Sequence, residues 1–149
     1  MPGILIIAHA PLASALKSVA MHAYPDCAQR IEALDVAADE SVDAAEAEAR
    51  ACLQRVASPD ALVFTDVFGA TPCNAAQRLA TNPHVRVLAG VNIPMLWRCL
   101  CYESDGLDAM VERAMNGAMK GVMPVATARP QNQTLRPCGD AQDHHHHQQ

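Results

Sequence analysis

Gly3-Ile4-Leu5-Ile6-Ile7-Ala8-His9 runs six small or apolar residues straight into an imidazole. An apolar run without alternation is the pattern of a strand buried on both faces, as in a parallel sheet covered by helices. Pro11 to Ala23 then reads as a helix, so His9 falls at the carboxyl end of the first strand. In open α/β sheets, ligands and chemistry gather outside those ends, where loops converge and helix N-termini offer N–H donors. A histidine there can be a nucleophile, a base or a metal ligand at neutral pH, or merely the cap of a strand.

Working outward, the same alternation repeats. Arg30 to Val36 reads as a second strand, and Glu40 to Val56 as a helix with Val42, Ala45, Ala49, Leu53 and Val56 on one face. Ala61-Leu62-Val63-Phe64 gives a third strand, Pro72 to Ala80 a helix, and Val85 to Ala89 a fourth strand. Ile93 to Cys101 and Gly106 to Met119 are two further helical segments. Strands alternating with helices imply an open three-layer α/β/α fold: a mostly parallel four-stranded sheet with helices on both faces. Val122-Met123-Pro124-Val125 is a candidate fifth strand at an edge, where a proline is tolerated.

The chain of 149 residues is the size of one domain. We read residues 1–126 as that domain and the proline-broken, polar stretch 127–149 as a disordered tail. The four histidines at 144–147 could bind a soft divalent metal, but a polar tail or an expression remnant is the preferred reading. A net charge of −5, only two lysines and no basic run give no support for a nucleic-acid or anionic-membrane surface. No apolar stretch reaches the roughly 20 residues of a membrane span, and no leader pattern opens the chain, so a soluble cytoplasmic protein is expected. Of the six cysteines, only Cys99 and Cys101 are close, too close for a zinc half-site, and we expect the set to be small buried hydrophobes.

A second cluster follows the third strand. Thr65-Asp66-Val67-Phe68-Gly69-Ala70-Thr71-Pro72-Cys73-Asn74 passes from strand through a glycine turn into a helix with proline in its first turn. Asp66 thus faces the same crevice as His9. A carboxylate that accepts one imidazole N–H fixes the tautomer and leaves the other nitrogen bare and more basic. Thr71 is a candidate N-cap, and the free N–H groups of its helix suit a phosphoryl group. Taken singly, Asp66 could be a turn residue and Thr71 a helix cap; their coincidence with His9 is what points to a site. Gly90-Val91-Asn92-Ile93-Pro94-Met95-Leu96 makes a third strand-end cluster, again ahead of a proline-started helix. His22 and His84 lie in helix and loop patterns and are expected to have no carboxylate cluster nearby.

Together these residues resemble the IIA component of the mannose-type sugar phosphotransferase system. That family ends its first strand in a glycine-flanked histidine, its third in T-D-L-F-G-G-S-P-x-N and its fourth in G-[VF]-N-L-P-M-L. The resemblance spans roughly residues 3 to 121. It implies that His9 takes a phosphoryl group from the phosphohistidine of HPr, through the nitrogen distal to Asp66, and passes it to a IIB component. Asp66 would orient the ring, while Thr71, Gly69, Ala70 and Asn92 would help to hold the phosphoryl oxygens. It further implies a homodimer and no cofactor or metal. The chain departs from the pattern at Ala8 and Ala10, at Ala70-Thr71 in place of Gly-Ser, and at Cys73, where a bulkier residue is usual. Two other classes remain open: a regulatory module that binds partners according to the phosphorylation state of His9, and a small-molecule-binding flavodoxin-like domain or hydrolase. The second lacks both G-x-G-x-x-G and G-x-x-x-x-G-K-[ST] loops.

Overall fold

Every side chain from Ile4 to Ala8 is fully buried, as the opening run requires. A computed structural model of the chain, describing residues 2–100 and 106–125, shows why. Strand β1 (Gly3–His9) lies inside a sheet of order β2-β1-β3-β4, flanked by β2 (Ile31–Val36) and β3 (Ala61–Thr65), with β4 (Val85–Ala89) beyond. All pairings are parallel. The register sets Ile7 beside both Leu34 and Thr65, and His9 beside Val36.

The side chains of β1 divide between two cores. Ile4, Ile6 and Ala8 pack with Leu62 and Phe64 under α1 (Leu12–Ala23), α2 (Pro25–Ala28), α5 (Ile93–Leu100) and α6 (Leu107–Gly121). Leu5 and Ile7 pack with Val63 under α3 (Val42–Val56) and α4 (Thr71–Leu79). Each such aliphatic side chain removed from water contributes about 1.5–3 kcal/mol, so the strand that carries His9 is the best anchored in the fold. Arg78 of α4 adds ion pairs to Asp43 and Glu46 of α3. These lie at the surface and contribute little.

The sequence reading of an α/β three-layer fold holds, with element ends shifted by a residue or two. Helix α2 was not expected, because four residues carry no periodicity. Residues 122–125 pair with no strand and Val125 is 98% exposed, so the sheet has no fifth strand among the described residues. Cys52, Cys73 and Cys99 are buried, as anticipated for small hydrophobes, and Cys27 is half-buried. Cys101, Cys138 and the expected tail lie outside the described residues.

Candidate functional site

His9 ends β1 and Asp66 follows the last residue of β3; because the two strands are adjacent and parallel, their ends meet. One carboxylate oxygen of Asp66, Oδ2, lies 2.6 Å from His9 Nδ1 and accepts the His9 backbone N–H at 2.9 Å. The other, Oδ1, accepts the Val67 N–H at 2.8 Å. Asp66 is therefore both the local turn residue and the ring partner. An ionised carboxylate only accepts, so the ring proton belongs on Nδ1 and Nε2 keeps its lone pair. The His9 side chain is 47% exposed and that of Asp66 only 13%, which leaves the imidazole presented and its carboxylate sheltered.

Partial burial works against the charged form of Asp66. The bonds from the His9 amide, the His9 ring and the Val67 amide outweigh it and hold the carboxyl below its usual range.

The surrounding turns are built to bring backbone to this point. Gly69 and Gly90 adopt φ of +88° and +87°, the left-handed conformation that glycine takes without strain. The amide of Asn74 side chain donates to the Gly69 carbonyl at 3.3 Å, tying the turn to α4. Gly90 N–H donates to the Asp66 carbonyl at 2.9 Å and Val91 N–H to the Thr65 carbonyl at 3.0 Å, extending the β3–β4 ladder into the loops.

Thr71 is not the helix cap that its position suggested. Ala70 occupies the N-cap, with φ −89° and ψ 170°, and no side chain caps α4. Thr71 is instead the first helical residue, half-buried, and among the described residues no side chain accepts from the first-turn N–H groups of α4. Asn92 does cap its helix: its Oδ1 accepts the Met95 N–H at 3.0 Å, so that oxygen already has a task. The start of α1 lacks a cap of its own and borrows one from the next strand, where Asp35 Oδ1 accepts the Ser14 N–H at 3.1 Å. Sequence spacing gave no sign of that contact. Val67 and Phe68, 53% and 76% exposed, form an apolar lip next to Asp66.

One expectation needs correcting. His84 has a carboxylate partner: its Nδ1 lies 2.8 Å from Asp60 Oδ1, a contact that joins residues 24 positions apart at the amino ends of β3 and β4. His22, in the last turn of α1, has none among the described residues. Among the described residues no group of three or more His, Cys, Asp or Glu stands close enough to hold a metal ion.

The sheet is parallel, with a histidine–carboxylate pair at its carboxyl edge and the starts of α4 and α5 following the adjoining strands. Residues 3–115 match the family described as PTS system fructose IIA component, of the mannose type, and the chain belongs to that family. It is 38% identical over 77 residues to the mannose-specific EIIAB component of the Escherichia coli K12 phosphotransferase system, a match covering 46% of this chain and 24% of the relative. The corresponding protein of Shigella flexneri matches equally. The match thus spans about a quarter of the length of these curated relatives. In fold, the chain is similar to the mannose/sorbose-specific IIA subunit of Enterococcus faecalis, with a TM-score of 0.78 at 21% identity, covering 86% of this chain and 97% of that one. It is similar also to the EIIA component of Streptococcus agalactiae, with a TM-score of 0.71 at 22% identity, covering 83% and 96%. No helix among the described residues is long and apolar enough to cross a membrane.

Proposed function

We propose that His9 is the phosphoryl acceptor of this IIA component, taking the group from phosphorylated HPr and handing it to a IIB component or holding it as a regulatory signal. The observation that carries this reading is the 2.6 Å contact from His9 Nδ1 to Asp66 Oδ2 beneath a half-exposed ring. With the proton held on Nδ1, the Nε2 lone pair attacks the donor's phosphorus; the new N–P bond forms as the donor's N–P bond breaks. No proton need leave Nδ1, and Asp66 stabilises the positive charge that the ring gains. Transfer between two nitrogens is near balanced, so the protein's work is in-line positioning and neutralisation of the equatorial oxygens. The uncapped amides of α4 at Thr71 and Cys73, with the turn at Gly69 and Ala70, are the donors for those oxygens. Asn92 contributes by fixing the start of α5, with its side-chain N–H₂ left to donate.

Residues 1–126 are the functional unit in this reading, acting in the cytoplasm. The homodimer that the resemblance implies has an apolar surface to use: Met115, Met119, Val122 and Met123 are each at least half exposed. Incubation with phosphorylated HPr, followed by mass spectrometry of the intact chain and of its peptides, tests the proposal. One phosphoryl group on the peptide holding His9, absent from His9→Ala, is the expected result; full labelling of His9→Ala at His22 or His84 overturns it.

A further inference from the structure

Away from His9 and Asp66, and sharing no residue with them, a cavity of about 300 Å³ opens between the end of α1 and the pair α5–α6. Its aromatic wall is Trp97, 40% exposed, in a T-shaped arrangement with Tyr24 at 6.2 Å between ring centroids and 71° between planes. Two glycines of α6, Gly117 and Gly121, also line it. A Cβ on Gly117 would stand 2.7 Å from the Pro94 carbonyl, and one on Gly121 would stand 2.3 Å from the Pro94 ring, so only glycines let α6 come this close.

Two cations converge on the cavity. Arg98 and Lys120 line it, and both also line a smaller adjoining hollow of about 170 Å³ with Arg113 and Asn116. Basic residues near helix C-termini commonly answer the helix dipole, and Arg98 and Lys120 do lie in the last turns of α5 and α6. Here two helices bring theirs to one opening, and neither Arg98 nor Lys120 has a carboxylate within ion-pair distance among the described residues. In a chain of net charge −5 with only two lysines, an Arg–Lys pair that has no carboxylate partner among the described residues and stands beside an exposed tryptophan is a local concentration of positive charge.

We propose that this cavity binds a nucleoside phosphate. The flat base lies against Trp97, and the phosphate is held by Arg98 and Lys120. The chemistry asks for both parts: a part-exposed indole takes a planar ring, and a guanidinium and an ammonium lining one cavity take a compact anion by charge-assisted hydrogen bonds. The volume is at the lower end for small-molecule sites, which favours a monophosphate over larger nucleotides.

Trp97 is the only tryptophan of the chain, so its fluorescence reports the cavity directly. Titration of the full chain with AMP should give a saturable change in that fluorescence, confirmed by equilibrium dialysis with labelled AMP. Adenosine and inorganic phosphate, offered separately, should each bind at least tenfold more weakly. Arg98→Gln and Lys120→Met should each weaken AMP binding about tenfold or more, the loss expected for one hydrogen bond to a charged group, with melting temperature unchanged. His9→Ala should bind AMP as the parent chain does, which separates this cavity from the phosphoryl site. Absence of AMP binding by both methods overturns the proposal, as does equal affinity in the two charge variants, equal binding of adenosine, or loss of binding in His9→Ala.

Discussion

Asp66 carries three hydrogen bonds on two oxygens, and each serves a different end. The bond to the ring selects the tautomer, the bond to the His9 amide fixes where the ring starts, and the bond to Val67 shapes the turn. Asp66→Asn keeps the shape but can offer an N–H₂ where the ring needs an acceptor. We expect single-turnover phosphoryl acceptance to slow by up to about 10⁴-fold, by analogy with loss of the orienting aspartate in a histidine-dependent hydrolase; an unchanged rate removes Asp66 from the mechanism. The same bonds make a prediction about pH. Because the carboxyl is held below its usual range in the folded chain, its contribution to stability is complete above the ordinary carboxylate pKa and is lost as pH falls through the lower, folded value. Thermal denaturation between about pH 5 and pH 2 should therefore show a steeper acid loss for the parent than for Asp66→Asn. Parallel curves would contradict it.

Helices α4 and α5 show how an element's end is spent. Asn92 caps α5 with its own side chain, whereas Ala70 leaves the start of α4 open. Ala70→Asp should supply the missing cap and stabilise the fold by about 1 kcal/mol, while its carboxylate takes the place of phosphoryl oxygens and suppresses acceptance by His9. A variant both more stable and fully active would mean that the α4 amides do not hold the phosphoryl group. At the α5–α6 contact the opposite rule applies, since no space is left. Gly121→Ala forces a methyl against the Pro94 ring, and chemical denaturation should show a loss of about 1–3 kcal/mol, despite the gain in helix propensity. The strands and the three strand-end clusters were legible because burial on both faces writes a continuous apolar run, and because glycine and proline punctuate the turns. The capping of α1 by Asp35 and the pairing of His84 with Asp60 were not, since each joins residues 21 or 24 apart through the sheet's register. The open cap at Ala70 was hidden by Thr71 next to it, a better capping residue by type. Helix α2 and the unpaired 122–125 had too few residues to show a period.

For the whole molecule, every strand and helix among the described residues lies ahead of residue 122. Removal of residues 127–149 should leave acceptance by His9 unaltered at saturating phosphorylated HPr, because the three strand-end clusters all precede residue 97. Cutting before Val122 removes the exposed Val122, Met123 and Val125, and sedimentation should then show loss of the proposed dimer or a lowered melting temperature. Residues 122–125 that proved dispensable on both counts would place the dimer contact elsewhere. The backbone around His9 has its own consequence at this scale. Ala10 N–H is held by the Val36 carbonyl, Gly90 N–H by that of Asp66 and Val91 N–H by that of Thr65, so strand ends and loops are stitched together before any phosphate arrives. A frame already closed in this way has little slack to take up when it is loaded. The loaded and empty forms should then differ in charge far more than in shape, with NMR shifts confined to the rim of the crevice. A partner telling the two apart must read electrostatic potential, and its discrimination should fade as salt is raised.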